Sequence, residues 1–262
     1  MTTWAMPAGS GNRWPDDYER GRPGWPSAGV EVAGLPRSAA VLDLGAGTGK
    51  LTRLLVDAFE RVIAVEPADE MRRRLVALCP HAEALAGSGQ EIPLADASVD
   101  AVFAAQAFHW FDDEWAVAEI VRVLRPGGAL VVMWNVPASA REPWLQAVEE
   151  LLTERLPPGE YDYDPLDLGM PKYRAGDWRR ALAAAPFTHF EEARRSSPQR
   201  LDREGVVAFY ASMGWVADLR DAQRLPLLDE VRSLLTDDEY VRLWETHVHW
   251  ARCASSTNSQ TK

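Results

Sequence analysis

Apolar positions along the chain follow two rhythms that take turns. Val41–Leu44, Arg61–Val65, Val99–Ala105 and Ala129–Val136 are short, mostly apolar runs, the pattern of strands buried on both faces. Between them apolar residues recur at helical spacing: Leu51, Leu54, Leu55 and Ala58, then Met71, Leu75 and Leu78, then Val117, Ile120, Val121 and Leu124. The first of these helices should end near Phe59 and the second should be capped by Asp69. The third should start at Asp112 or Asp113 and stop at Pro126, where Gly127-Gly128 turns the chain into the next strand. A weaker strand is expected over His81–Ala86. Strand and helix alternating in this way predict an α/β fold with a doubly wound parallel sheet.

The rest of the chain is patterned less evenly. Trp144, Val148, Leu151 and Leu152 predict an amphipathic helix, and a further one follows from Asp177 with Trp178, Leu182 and Ala185 inward. His189–Arg195 reads as a charged sixth strand. Val206, Phe209, Tyr210 and Met213 mark a helix capped by Asp202, and Leu227, Val231, Leu234 and Leu235 mark another. These helices would serve as lid elements within residues 157–235. Thr236 and Glu239 form a capping box for a last short helix. Trp244, Thr246, Val248 and Trp250 then alternate with Glu245, His247, His249 and Ala251, a strand period.

Residues 1–26 read as a tail followed by an aperiodic segment, Trp14–Pro26, rich in aromatics, prolines and charges. It is either an ordered connector or a flap over a ligand, with Tyr18 and Arg22 reaching in. Ser27–Leu35 is expected to hold a short helix, and residues 27–253 to form the main domain, with 254–262 a C-terminal tail. Pro157–Tyr173 has no period; its Asp162, Asp164 and Asp167 lack the glycine and closing glutamate of a calcium loop and read as a solvated loop.

Composition narrows the function. With 262 residues and 47% hydrophobic, the chain can build a large core, and a formal net charge of −11 disfavours binding along a nucleic-acid backbone. Cys79 and Cys253 are too few for a disulfide framework, no apolar run is long enough to span a membrane, and the first ten residues lack a signal-peptide pattern. A cytoplasmic protein acting on a small molecule is expected.

The candidate chemistry centres on Val41-Leu42-Asp43-Leu44-Gly45-Ala46-Gly47-Thr48-Gly49, a buried strand turned by glycines into a helix that opens at Lys50. Such a turn lets a ligand approach backbone without meeting a Cβ. The third glycine comes one residue early for a dinucleotide fingerprint, and no Gly-Lys-Ser/Thr ending marks a P-loop. An acid inside the strand, Asp43, favours a ligand bearing positive charge. S-adenosylmethionine, with an ammonium and a sulfonium, fits. Glu66 at the end of the next strand stands where an acid can accept from both hydroxyls of a ribose. Backbone around Gly89 and the Gln90 amide could read an adenine edge. Gln106-Ala107-Phe108-His109-Trp110-Phe111, after the fourth strand, is either pocket wall or core.

Together with Tyr18, Arg22-Pro23, Ser98-Val99-Asp100-Ala101-Val102 and Arg122-Val123-Leu124-Arg125-Pro126-Gly127-Gly128, these segments cover about half the chain. In their order and spacing the chain resembles class I S-adenosylmethionine-dependent methyltransferases, and within them trans-aconitate O-methyltransferases. It departs at Gly89-Gln90, where related sequences carry Ala-Glu or Asp-Ala. The resemblance implies a Rossmann-like seven-stranded sheet with an antiparallel last strand. It also implies a cofactor site drawn from Tyr18, Arg22, Asp43, Gly45, Ala46, Gly47, Gly49, Glu66, Gly89, Gln90 and Gln106.

The expected activity is therefore methyl transfer to a small acceptor, at oxygen. His109 is the candidate catalytic side chain, either as a base or as a group that orients the acceptor. Two other readings stay open: a binder of the same cofactor that acts through a partner, and a nicotinamide-dependent oxidoreductase. His247 and His249 share one strand face but lack an evident third ligand, so no metal is expected. No hydrolase elbow or zincin helix is present.

Overall fold

The computed structural model describes residues 14–138, 142–155 and 170–254. The expected N-terminal tail, nearly all of the C-terminal tail and the Asp162, Asp164 and Asp167 loop lie outside the described residues. In chain order the elements are α1 (Trp14–Gly21), α2 (Ala28–Glu31), β1 (Ala40–Leu44), α3 (Lys50–Ala58), β2 (Arg61–Val65), α4 (Asp69–Leu78), β3 (Glu83–Leu85) and β4 (Val99–Ala105). They continue as α5 (Glu114–Val123), β5 (Leu124–Pro137), α6 (Pro143–Arg155), α7 (Met170–Ala175), α8 (Trp178–Leu182), β6 (Glu191–Ser196) and β7 (Gln199–Leu201). Last come α9 (Arg203–Ala211), α10 (Gly214–Asp218), α11 (Asp221–Leu234), β8 (Tyr240–Arg242) and β9 (Trp244–Arg252). They group into two compact units. One holds the described residues within 1–24, Asn135–Arg174 and Ser196–Glu245; the other holds those within Trp25–Trp134, Ala175–Arg195 and 246–262.

The second unit is organised by the sheet, whose seven strands run in the order β3-β2-β1-β4-β5-β9-β6. Pairings of β1 with β2 and β4, β2 with β3, and β4 with β5 are all parallel. β9 runs the other way: the Cys253 N–H donates to Gly128 O at 2.7 Å and the Ala138 N–H to Leu243 O at 3.0 Å, so numbers rise along the β5 segment as they fall along β9. The parallel strands make the doubly wound sheet that the pattern of strands and helices predicts, and the antiparallel β9 completes the Rossmann-like sheet that the family resemblance implies. Its order reverses between β1 and β4, and there the carboxyl ends of two neighbouring strands send their chains to opposite sides. Val41, Phe103, Val131, Met133 and Val248 from the strands pack with Leu51, Leu55 and Phe59 from the α3 segment in one core cluster. Gly29 in α2 belongs to this packing, since a Cβ there would sit 2.6 Å from Met133 Cε. β9 is buried on both faces at most positions, as a strand inside a sheet must be, which explains why its two histidines are buried.

In the first unit, Val206, Phe209, Tyr210 and Met213 pack with Val148, Leu152, Leu227, Val231 and Trp244. Helix α9 is buried on nearly every side. β7 and β8 make a small antiparallel pair.

Several local expectations need correction. Trp14–Gly21 is a helix: Trp14 and Tyr18 are one turn apart with ring centroids at 5.4 Å, and Trp14 Nε1 donates to Ser212 O at 3.1 Å. Its Gly21 lies flush on α9, where a Cβ would fall 2.1 Å from the Phe209 nitrogen. Asp69 is the first residue of α4 and not its cap; the cap position is Ala68, without a side-chain bond. The Thr236–Glu239 box starts no helix, because Tyr240 pairs with Leu201 as strand β8 and its hydroxyl accepts the Asp237 N–H at 2.6 Å. Leu234 is 41% exposed, and Leu228 takes the inward place instead. Met170–Ala175 is helical where an aperiodic loop is expected. The Asp202 and Asp113 caps form as predicted, accepting from the N–H of Gly205 and Ala116.

Candidate active site

The glycine turn is built by the sheet beneath it. Gly45 N and Ala46 N both donate to Val65 O, at 2.9 and 3.1 Å, so the chain leaving β1 is clamped to the end of β2. Gly45, Gly47 and Gly49 all have positive φ, at 74°, 59° and 89°, and Gly49 delivers the chain into α3. Other side chains at these positions would be strained. A Cβ at Gly47 would meet nothing nearer than Met71 Cε at 3.8 Å, so this glycine is required by its backbone and leaves space beside it. At Gly45 a Cβ would stand 2.7 Å from Ala107 Cβ, and at Gly49 2.6 Å from Cys79 Sγ.

Two buried carboxylates flank the turn. Glu66, 4% exposed, caps the loop: Oε2 accepts the Gly47 N–H at 2.8 Å and Oε1 the Ala68 N–H at 2.9 Å. Burial pushes its pKa up, opposed by those two amides and by the charge of Arg72. Asp43, 1% exposed, accepts from Thr52 Oγ1 at 2.6 Å through Oδ2. Burial pushes its pKa up to about 7, with the Thr52 bond pulling down and Glu66 pushing further up. Thr52 itself is fully buried. The signal for it was available, as a polar residue beside Leu51 and Leu55 on the inner stripe of the helix.

The loops after β3 and β4 meet the same turn through one ring. A Cβ at Gly89 would lie 2.5 Å from Phe111 Cγ, and one at Gly45 would lie 3.5 Å from Phe111 Cε1, so Phe111 sits between the two glycines. The sequence pattern left its part open. Gln90 is exposed and donates its Nε2 to Asp113 Oδ2 at 2.8 Å, which ties the β3 loop to the cap of α5. Gln106 has φ 52°, a left-handed conformation uncommon for a residue other than glycine, and its N–H donates to Met133 O at 2.8 Å. The turn it makes leads into a short 3-10 helix, Phe108–Trp110. Phe108 and Phe111 are core residues, Trp110 is 56% exposed, and His109 is buried with its ring 4.9 Å from that of Trp110.

Tyr18 and Arg22 belong to the other unit. There Arg22 donates to Ser212 Oγ at 2.8 Å and to Ser212 O at 3.0 Å, and its guanidinium lies 5.0 Å from the Phe209 ring centre and 5.6 Å from that of Tyr18. Burial lowers its pKa to about 10. His247 and His249 join no metal-holding group: among the described residues, no three His, Cys, Asp or Glu side chains come together in that way. His249 packs against Trp178 and Trp134, ring centroids at 4.9 and 6.0 Å. Also among the described residues, no helix is long and apolar enough to cross a membrane.

The comparisons with known proteins agree with this architecture. Residues 42–132 match the family model for a methyltransferase domain. The chain is 38% identical over 219 residues to an uncharacterised methyltransferase of Mycobacterium tuberculosis, covering 83% of this chain and 82% of that one. A solved structure from Anaeromyxobacter dehalogenans, assigned as a type II methyltransferase, superposes with a TM-score of 0.64 at 26% identity, covering 89% of this chain and 99% of that one. A shorter match, 43% identical over 109 residues and 39% of each chain, is to the malonyl-[acyl-carrier protein] O-methyltransferase of Methylococcus capsulatus. The chain belongs to the class I S-adenosylmethionine-dependent methyltransferases.

Proposed function

We propose that the protein transfers the methyl group of S-adenosylmethionine to an oxygen of a small-molecule acceptor, and that the turn after β1 together with Asp43 and Glu66 holds the donor. The observation that carries the donor site is the geometry of Glu66. Each of its oxygens accepts one backbone N–H, at 2.8 and 2.9 Å, and a carboxylate has about four lone-pair positions, so about two are left for a vicinal diol. The rest of the residue set fits the same molecule. Positive-φ glycines keep Cβ atoms out of the cradle, and a buried carboxylate at Asp43 suits an ammonium.

When bound, the donor supplies an electrophilic methyl on a sulfonium. This chain's residues need only hold donor and acceptor in line and keep water out. Glu66 takes the ribose hydroxyls, Asp43 with Gly45, Ala46, Gly47 and Gly49 the amino-acid portion, and the Gly89-Gln90 segment the adenine. Gln106 joins the donor site, and His109, following β4 on the other side of the strand-order reversal, is the candidate side chain toward the acceptor. His109 orients or walls the acceptor in this reading. Tyr18 and Arg22 enter through the family resemblance alone.

Support for oxygen comes from the Methylococcus relative, an O-methyltransferase by name, and from the trans-aconitate resemblance. An acceptor carboxylate is already a nucleophile, which would explain a site without a strong base. The acidic balance, a net charge of −11, supports a small acceptor over a nucleic acid, and a count of two cysteines accords with a cytoplasmic location. No relative or structure in the comparison favours an oxidoreductase or a non-catalytic binder.

Titration calorimetry with S-adenosylhomocysteine and with NAD tests the donor site; binding of the first in preference to the second is expected, and the reverse overturns the reading. A labelled-methyl screen against metabolite pools, with the product tested for base-labile ester or stable ether, tests the acceptor atom. A labelled amine would overturn oxygen.

A further inference from the structure

Thr52 lies in α3, three residues past Gly49, and is fully buried with its hydroxyl donated to Asp43 at 2.6 Å. A buried hydroxyl needs an acceptor, and a buried carboxylate needs donors, so the pair satisfies both. A hydroxyl donor also does something a packed methyl would not: it favours the ionised form of the carboxyl. That matters here because Asp43 is under pressure to stay neutral. It is buried near the end of β1, an inner strand of the sheet, and the charged neighbour that acts on it, among the described residues, is Glu66 at the end of β2. Arg72 of α4, which donates to the Glu66 carbonyl at 2.9 Å, acts on Glu66. Two buried carboxyls side by side resist holding two negative charges.

We propose that Thr52 is a positioning residue for donor binding: its bond holds Asp43 ready to ionise, and capture of the donor's ammonium releases a proton from Asp43. The inference rests on the reading of Asp43 as a donor-binding residue. Burial and the neighbouring Glu66 push the Asp43 pKa up to about 7, well above the usual carboxylate range, so the carboxyl is held toward its neutral form before a cation arrives. A cation beside it favours the carboxylate, and the proton leaves to solvent. Affinity should then rise with pH and level off once Asp43 is already ionised.

The experiment is calorimetric titration of S-adenosylhomocysteine between about pH 5.5 and about pH 8, in buffers of different ionisation heat, which counts protons released. Wild type should release up to one proton at the acid end, fewer as pH rises. Thr52→Val should move the affinity plateau about one pH unit upward, a loss of about tenfold near pH 6 and of little near pH 8. Thr52→Ser should follow the wild type, and Thr52→Ala gives the same reading as Thr52→Val if the latter fails to fold. 5′-Methylthioadenosine, which lacks the amino-acid portion, should bind without the proton release and without responding to Thr52→Val. A loss of equal size at every pH with unchanged proton release, or no loss, would overturn the proposal and leave Thr52 as packing. Asp43→Asn separates the two levels: if it binds S-adenosylhomocysteine as tightly as wild type, with the same proton release, the reading of Asp43 itself fails.

Discussion

Glu66 Oε2 accepts the Gly47 N–H at 2.8 Å, so the acid that ends β2 is fastened to the turn that follows β1. The bond fixes where the carboxylate points before any ligand arrives. It also means that the same side chain shapes the turn and, in the proposed function, meets the ribose.

Replacing Glu66 should therefore affect binding first and folding second. Glu66→Ala is expected to weaken S-adenosylhomocysteine by about 10–100-fold, ~1.5–3 kcal/mol, the scale of charge-assisted bonds. Glu66→Gln should lie between, since its amide nitrogen cannot accept. Calorimetry with a circular-dichroism control checks this; unchanged affinity in a folded Glu66→Ala protein would remove Glu66 from the site.

Gly45→Ala tests the turn itself. Its φ of 74° and a Cβ only 2.7 Å from Ala107 Cβ should cost about 1–3 kcal/mol of stability. Gly24→Ala is the internal control, because a Cβ there meets nothing within 4 Å and φ is not positive; thermal unfolding should move little. Equal effects at the two positions would contradict the packing described.

For His109→Gln, single-turnover methyl transfer measured across pH distinguishes two roles once an acceptor is in hand. Orientation predicts a small drop, uniform with pH. A fall of about a hundredfold together with loss of a pH-dependent limb of the rate would instead make His109 a base.

His249 gives a stability prediction. Burial, with Arg179, His247 and Arg194 adding positive charge, lowers its pKa to about 4, while Glu192 Oε2 stands 3.7 Å from Nδ1. The folded value lies below the unfolded one, about 6.5, so the unfolded chain binds the extra proton between them. Stability from this group is complete above about pH 6.5 and is lost as pH falls toward about 4, with a slope of up to ~1.4 kcal/mol per pH unit. Asp43, whose folded value is raised, contributes a slope of opposite sign over an overlapping range. The difference between wild type and His249→Gln in denaturant midpoint against pH isolates the histidine; parallel curves would show that His249 does not titrate as described.

Much of the sheet was legible because its signals are local. A short apolar run such as Arg61–Val65 can be buried on both faces only as an inner strand, and its bounds match the structure. Gly45, Gly47 and Gly49 announce a turn because no other residue takes their backbone without strain. Where local signals competed with distant partners, the sequence misled. The Thr236–Glu239 box is a sound helix start in isolation, and it loses to the pairing of Tyr240 with Leu201, thirty-nine positions away by 240 minus 201. The prolines and charges of Trp14–Pro26 hid the turn-spaced Trp14 and Tyr18, whose helix is secured by Ser212 and by an ion pair between Asp17 and Arg224 at 2.6 Å.

By itself the sequence determined the alternation of strand and helix, the glycine turn and the two acids, because periodicity, φ preference and carboxylate chemistry belong to residues or to their near neighbours. Only the tertiary structure decided that Thr52 serves Asp43, that Glu66 reaches back to Gly47, that Phe111 lies between Gly45 and Gly89, and that Gln90 is held by Asp113. Each of these joins side chains or turns from different elements. Their hydrogen bonds and contacts act over a few ångströms, and that closeness exists only after the strands have paired and the loops have been brought to one edge of the sheet.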